Sequence, residues 1–337
     1  MAQKEFYLSR PEDLPKHWKD ITSNVSSVVE TLTLMTSLPD QSSDQETLLA
    51  TKTALNILNF DLNQCSVFKD DPNESVQNRD NDKAFNIIRI KGDLLPLIIY
   101  STLNAYVGML EESITSGTNL TVVEWQKLRY SYILIFRMLL NLPHKDLKLI
   151  QIKPAKQVSN ETINSGISRW ERGHYVFMTI IQGMIIAFNC FRHEYEITHN
   201  DSLASYFMKA AASLMWGSEV ALKFAGDFSM SSYEAEVRPT LSPPIAPPGM
   251  SGLYWRDHEF LIKKILFNLK PILSKPRQNI KEAIDSFKDA LTCAYDAHKF
   301  VCTRFVGDKE PSLISKKPAG DVLQNYKKNR LHVFNDV

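Results

Sequence analysis

The sequence predicts an all-α protein, because apolar residues recur at helical spacing throughout the 337 residues, whereas runs that alternate between apolar and polar residues are scarce. Glycine is infrequent, with 12 glycines against 16 prolines, and no glycine-rich phosphate-binding loop occurs, which argues against a classical nucleotide enzyme. Long apolar stretches on both sides of the polar connections need partners to bury them, so we expect one helical domain over 1–337.

Four helices are expected in the first part of the chain. They lie near 20–35, 48–62, 84–114 and 122–142. Pro96 falls inside the third and should break or kink it, and Pro143 should end the fourth. The polar segment 69–82, between the second and third, is expected to form turns.

Four more helices follow a polar connection at 154–166, which is the best candidate boundary within the chain. They are expected near 175–191, 203–224, 252–269 and 279–303. The first is almost long enough to cross a membrane, but Gln182 and Asn189 give it a polar line. We interpret it as a buried helix and expect no membrane partner. Gly307 should end the last helix, and 308–337 is expected to form a tail.

A proline-rich loop at 238–248, RPTLSPPIAPP, differs from the rest of the chain. Each proline fixes φ, so five of them favour a stiff, extended path. Two interpretations are open: a rigid connector, which the sequence favours, or a wall over a pocket.

Charge and cysteine content exclude several functions. The 39 Lys and Arg residues nearly balance 38 Asp and Glu, and a net charge of +1 gives no electrostatic reason to expect nucleic acid. None of the four cysteines forms a CxxC pair, which argues against a zinc ribbon. The amino terminus lacks the apolar stretch of a signal peptide, so we expect a cytoplasmic protein.

Two histidines stand on apolar helix faces. His258 is alone on its face, where a core histidine bonded to a backbone carbonyl is more common than a ligand. His298 stands one turn before Cys302, and four residues of helix rise about 6 Å, the scale of the distance from a haem iron to a porphyrin vinyl group. A helix along a haem could therefore ligate iron through His298 while Cys302 forms a thioether. The alternative is an amphipathic helix with a buried thiol.

Several long segments resemble the haem-dependent 3-methyl-L-tyrosine hydroxylases, or peroxygenases, of saframycin-type tetrahydroisoquinoline pathways. These enzymes are relatives of the tryptophan 2,3-dioxygenase superfamily. The similar segments are LSRPEDLP (8–15), DDPNESVQNRDNDKAFNIIR (70–89), RWERGHYVFM (169–178), RPTLSPPIAPPGMSGLYWRDHEFLIK (238–263) and YDAHKFVCTRFVGDKEPSL (295–313). The family's haem signature is a histidine followed by a distant H-x-x-x-C. His258, His298 and Cys302 match it, with 39 residues between the histidines, one more than in the family pattern.

The resemblance implies an all-α, tryptophan 2,3-dioxygenase-like fold around one haem. His298 would be the persistent axial ligand, Cys302 would form a single thioether, and His258 would occupy the opposite axial position and leave during turnover. The implied reaction is hydroxylation of 3-methyl-L-tyrosine ortho to the phenol, giving 3-hydroxy-5-methyl-L-tyrosine. The oxidant would be hydrogen peroxide, or dioxygen with a reductant such as ascorbate. The superfamily also makes a homodimer plausible.

Three further residues are candidates for contacts with the substrate or the haem propionates. His174, expected at the start of the helix with the polar line, is a candidate acid/base or substrate contact, with a structural hydrogen bond as an equal alternative. Arg79 and Arg238 carry the guanidinium fork that suits a carboxylate of either molecule. A structural ion pair is the more common arrangement for any one arginine.

Three alternatives to this function remain open on the sequence alone. A bis-histidine electron-transfer or haem-sensing protein would keep the haem. A cofactor-free helical interaction module would not. An oxygenase of the same superfamily could act on L-tyrosine or an indole instead.

Overall fold

Helices dominate the computed structural model, which describes residues 5–23, 25–69, 71–142, 152–241, 243–246, 252–307 and 318–335. The α-helices are α1 (Trp18–Thr22), α2 (Val29–Thr36), α3 (Asp44–Leu58), α4 (Val76–Ala84), α5 (Leu94–Ser116), α6 (Val122–Leu139), α7 (Gly166–Glu196), α8 (Asp201–Ala225), α9 (Met230–Ser232), α10 (Arg256–Phe260), α11 (Lys270–Ser274), α12 (Gln278–Val306) and α13 (Ala319–Leu331). α9 and α10 continue as π-helix over Tyr233–Val237 and Leu261–Leu266. Short 3₁₀ turns lie at Pro11–Asp13, Val25–Ser27, Leu62–Gln64, Asn160–Thr162, Arg238–Leu241, Gly252–Tyr254 and His332–Phe334.

The structure contains a small three-stranded sheet, and its central strand lies where the sequence predicts the start of the helix at 84–114. Its strands are β1 (Phe6–Leu8), β2 (Ser66–Val67) and the central β3 (Ile87–Lys91), which pairs parallel to β1 and antiparallel to β2. Because β3 takes up 87–91, α5 begins only at Leu94. Pro96 then lies in the first helical turn, where its missing amide hydrogen costs no bond. The predicted break or kink at Pro96 is therefore wrong.

Capping residues set helix starts that the apolar periodicity misses. The amide of Ser43 donates to the Glu46 carboxylate at 2.7 Å, and the Glu46 amide donates to the Ser43 hydroxyl at 3.2 Å. This reciprocal pair begins α3 four residues before the predicted start at 48. Ser75 caps α4 in the same way, inside the segment predicted to form turns. The predicted helix at 20–35 is divided between α1 and α2.

The centre of the molecule is built around α8, which packs along α7 and along α12. At Gly173 of α7 a side chain would stand only 2.5 Å from the Cα of Ala225, so glycine permits this close approach. α5 and α7 are each long and apolar enough to cross a membrane, yet their most apolar stretches are 61% and 78% buried inside the protein. Such burial is typical of core helices.

The described carboxyl-terminal residues, 318–335, form a packed helix and a 3₁₀ turn instead of the predicted tail. α13 packs on α12, and Val333 and Phe334 after it are buried. The apolar cluster that they join extends back to Phe6 in β1. Pro143 and residues 308–317 lie outside the described residues.

Candidate functional site

His258 lies on the short helix α10 rather than on the single helix predicted for 252–269. Its Nδ1–H donates to the carbonyl oxygen of Gly252, in the preceding 3₁₀ turn, at 3.1 Å. This bond leaves the lone pair on Nε2, the form in which an imidazole binds a metal. Burial, assisted by the nearby charges of Arg330 and His298, lowers the pKa of His258 from its ordinary 6.5 to about 3. The ring is therefore neutral at pH 7.

A buried ion-pair network fixes the backbone beside His258. Arg89 of β3 donates to Asp82 at 2.7 Å and to the fully buried Asp257 at 2.5 Å. The other oxygen of Asp257 accepts from the amide of Gln182 at 2.8 Å. The polar line that the sequence shows on α7 thus includes a residue that binds α10.

A second set of contacts joins α10 to the α4 region. Arg256 pairs with Asp71 at 2.6 Å, and both side chains are buried. The Asn78 amide donates to the carbonyl of Tyr254 at 2.6 Å and to Glu259 at 2.9 Å. Side chains on two sides of the helix therefore hold α10 in place.

His298, on α12, has no such support. Its ring makes no hydrogen bond with any described residue. Burial alone lowers the pKa of His298 from 6.5 to about 4, although part of the side chain remains accessible to solvent. Ala294, one turn earlier, is small and buried. The result is a neutral imidazole with both nitrogens unused by the described chain.

Cys302 follows one turn later on α12 as a half-buried free thiol. Burial raises the pKa of its thiol to about 11, so it is protonated at pH 7. It lies close enough to Tyr233 that a thiolate there would raise the pKa of the tyrosine. The predicted one-turn spacing of His298 and Cys302 is present on a continuous helix.

His174 lies inside α7, which begins at Gly166, and not at the helix start. Its Nδ1–H donates to the carbonyl of Trp170 at 2.5 Å, and its ring centroid is 4.2–4.7 Å from those of Phe85, Trp170 and Trp255. Burial lowers the pKa of His174 to about 3, and the charge of His298 adds to this effect. The structural hydrogen bond is thus present, and only Nε2 is left to accept another.

The three histidines come together. The charge of His298 lowers the pKa of both His174 and His258, which places all three within electrostatic reach of one another. Two rings link His258 to His174: Phe177 lies 6.3 Å from His258 and from Trp255, and Trp255 lies 4.7 Å from His174, centroid to centroid. Across the described ranges, no group of three or more His, Cys, Asp or Glu side chains is arranged to hold a metal ion. α10 packs on α7 rather than on α12.

The two predicted arginines are exposed ion pairs. Arg79 pairs with Glu74 at 2.9 Å and is 63% exposed, and Arg238 pairs with Glu234 at 2.9 Å and is 62% exposed. The structure therefore favours the ion-pair alternative for both.

Arg330 of α13 is the charged residue near the histidines that sequence reasoning missed. It is buried and close enough to His258 to lower the pKa of that imidazole. Its position in a segment predicted to be a tail carried no signal of burial. Only the spacing of Tyr326 and Arg330, one turn apart, hints that they share a helix face.

The proline-rich loop forms a wall of an open pocket of about 510 Å³. Its residues Leu241 and 243–246 face Phe85 and Trp170, two of the rings around His174. Asp80, Lys83 and Glu171 add both signs of charge to the lining. The wall interpretation therefore describes this loop better than the rigid connector does.

Neutral imidazoles brought within electrostatic reach of one another inside an all-α fold are groups that can ligate a haem iron. The comparisons with known proteins are specific. A model of the SfmD 3-methyl-L-tyrosine peroxygenase family matches residues 7–283. The chain is 34% identical over 340 residues to a 3-methyl-L-tyrosine peroxygenase of Streptomyces lavendulae. The aligned region covers 98% of this chain and 91% of that protein. The chain belongs to the SfmD 3-methyl-L-tyrosine peroxygenase family, whose members are oxidoreductases.

A solved structure agrees with this assignment. The crystal structure of reduced SfmD, obtained by soaking with sodium hydrosulfite, matches with a TM-score of 0.73 and 32% identity, over 90% of this chain and 99% of that one. The predicted all-α, tryptophan 2,3-dioxygenase-like fold class is thereby confirmed. The family match includes His258 and ends before His298 and Cys302. The roles of these residues remain predictions.

Proposed function

We propose that this chain is a haem-dependent peroxygenase that hydroxylates 3-methyl-L-tyrosine ortho to the phenol, giving 3-hydroxy-5-methyl-L-tyrosine for tetrahydroisoquinoline antibiotic biosynthesis. The observation that carries the proposal is the meeting of two neutral imidazoles, His258 and His298, with Cys302 one turn beyond the second. The name of the relative from Streptomyces lavendulae states the same substrate and the same class of reaction.

The residues present fit a haem. His298 would be the iron ligand that persists, His258 the iron ligand that leaves during turnover, and Cys302 the single thioether partner. The orphaned nitrogens of buried Arg330 also suit an anionic group at this place. When bound, the haem would supply activation of the oxidant and oxygen transfer to the ring, while the protein contributes ligation and orientation.

The supports of His258 suit a ligand that leaves. The ion pairs of Arg89 and Arg256 hold the backbone of α10, whereas one hydrogen bond to Gly252 holds the ring. Rotation of the side chain therefore requires the loss of a single bond to the protein, without movement of the helix.

The pocket beside His174 suits an aromatic amino acid. Phe85 and Trp170 supply an apolar wall, and charged side chains of both signs line the same pocket. His174 would accept a hydrogen bond from the phenol through Nε2. Its lowered pKa favours this orienting role over the storage of a proton, because the imidazolium is unstable there.

Further parts of the proposal follow from the same family membership. The oxidant would be hydrogen peroxide, or dioxygen with an ascorbate-like reductant, and the protein would act in the cytoplasm without nucleic acid or membrane. One apolar cluster extends from Phe6 to Phe334, which supports a single domain over 1–337. A homodimer is part of the same proposal.

Product formation tests the proposed function. Haem-loaded protein incubated with 3-methyl-L-tyrosine and hydrogen peroxide should give a product heavier by one oxygen atom, identified by mass spectrometry and by co-elution with 3-hydroxy-5-methyl-L-tyrosine. The His298→Ala variant should give none, whereas the control His332→Ala, at an exposed histidine, should retain the wild-type rate. Normal hydroxylation by His298→Ala would show the proximal assignment to be wrong.

A bis-histidine electron-transfer or sensor protein is the second candidate, since both imidazoles are in the metal-binding form. Titration of the ferric protein with 3-methyl-L-tyrosine separates the two functions. An oxygenase should show a saturable spectral change as His258 leaves the iron. An unchanged spectrum together with the absence of product would favour electron transfer or sensing.

A further inference from the structure

Arg330 differs from every other buried arginine in the described part of the chain. Four buried arginines pair with carboxylates: Arg89 with Asp82, Arg129 with Asp44, Arg169 with Asp227, and Arg256 with Asp71. Arg330 is 7% exposed, and its Nε and Nη1 have no hydrogen-bond partner among the described residues. An unpaired buried cation is costly, so its presence points to a ligand that completes it.

The position of the guanidinium indicates which ligand it meets. Its central carbon lies 5.2 Å from the ring centroid of Tyr295 and 5.5 Å from that of Tyr326. Tyr295 is on α12, one turn before His298, and Arg330 is also within electrostatic reach of His258. The charge therefore lies near His258 and over the residue one turn before His298.

We infer that Arg330 binds a carboxylate in the candidate haem site, an inference that rests on the proposed function. A guanidinium pairs with a carboxylate through charge-assisted, often paired hydrogen bonds. Two molecules would bring such a group: the haem, through a propionate, and the amino-acid substrate, through its α-carboxylate. The propionate is favoured because Arg330 lies over Tyr295, one turn before His298, and within electrostatic reach of His258.

Haem transfer to apomyoglobin tests the propionate. In a Cys302→Ala background, where the haem is held without a covalent bond, Arg330→Gln should speed transfer by about tenfold or more. Arg330→Lys should recover part of the loss. Haem dimethyl ester, which lacks the propionate charges, should transfer at the same rate with or without Arg330→Gln.

The matched control is Arg277→Gln. Arg277, just before α12, also lies over a tyrosine ring, 3.9 Å from the Tyr195 centroid, but it pairs with Asp201, the first residue of α8. This variant should leave the transfer rate of both haems unchanged.

Substrate binding to the holoenzyme tests the other source. If the α-carboxylate is the partner, Arg330→Gln should weaken binding of 3-methyl-L-tyrosine by about tenfold or more and leave binding of the decarboxylated amine unchanged. Unaltered haem transfer and unaltered substrate binding, in a variant that unfolds in urea like the wild type, would overturn the inference. Wild-type protein that takes up no haem would contradict the proposed function itself, and the inference with it.

Discussion

The segments that carry His258 and His298 are stabilised in opposite ways. Buried ion pairs surround α10, where Asp257 receives hydrogen bonds from Arg89 and Gln182. The middle of α12 contributes apolar side chains to the core, and the His298 ring makes no hydrogen bond within the described residues. Burial nevertheless lowers the pKa of both imidazoles.

Under the proposed function, this difference would suit two iron ligands with different roles. If His258 leaves and returns, it needs a helix backbone that does not move, and the network around Asp257 provides one. If His298 stays on the metal, the protein needs only to keep its ring neutral and unobstructed.

The largest effects are expected when each imidazole is removed in turn, because the two variants should then differ in spectrum and activity. We expect His298→Ala to lose the axial bond and all activity, and His258→Ala to keep the haem with a high-spin spectrum, because one ligand persists and the other departs. Absorption and magnetic circular dichroism spectra of the two variants measure this. The same spectrum and the same activity in both variants would contradict the distinction.

The ion-pair network should show the next largest effect. Arg89→Gln leaves Asp82 and Asp257 buried without their cation, and we expect it to lower the free energy of unfolding by about 3–5 kcal/mol. Urea unfolding followed by circular dichroism measures the change. A loss below about 1 kcal/mol, the value expected for an exposed pair, would show that the network does not stabilise α10.

Acid should destabilise the haem-free chain through the buried imidazoles. Unfolded histidines take up protons below a pH of about 6.5, whereas folded His258 and His298 take them up only near their lowered pKa values of about 3 and about 4. The free energy of unfolding should therefore fall as the pH drops from about 6.5 towards 4. A His258→Gln/His298→Gln variant should show a smaller slope in urea unfolding at several pH values, and an identical slope would rule out their contribution.

The smallest effect is expected at the exposed ion pair of Arg238 and Glu234. Arg238→Gln removes a partner of Glu234 from the surface, so stability should change by less than about 0.5 kcal/mol and haem content should not change. Thermal unfolding and the haem-to-protein absorbance ratio measure both. Loss of haem in this variant would restore Arg238 as a propionate partner.

The periodicity of the sequence was enough to predict one part of the candidate site, but the rest depends on contacts between distant segments. The spacing of His298 and Cys302 could be predicted because the period of an α-helix fixes which residues share a face. The division of 252–269 into a 3₁₀ turn, α10 and a π-helix could not be predicted from the sequence. This segment is held by contacts from β3, α4 and α7, which lie far away along the chain.

The errors in the fold have the same origin. Residues 87–91 read as part of an apolar helix, yet they form β3 because β1 and β2 supply partners from distant parts of the chain. Arg330 carried no signal, since its burial depends on the packing of α13 against α12.

The intact mass of purified, haem-loaded protein tests the central claim most directly. If a haem lies between His258 and His298 with its edge at Cys302, denatured wild-type protein should weigh the polypeptide plus one haem, and Cys302→Ala should weigh the polypeptide alone. Wild-type protein at the bare polypeptide mass, or a Cys302→Ala variant that still carries the added mass, would contradict the account.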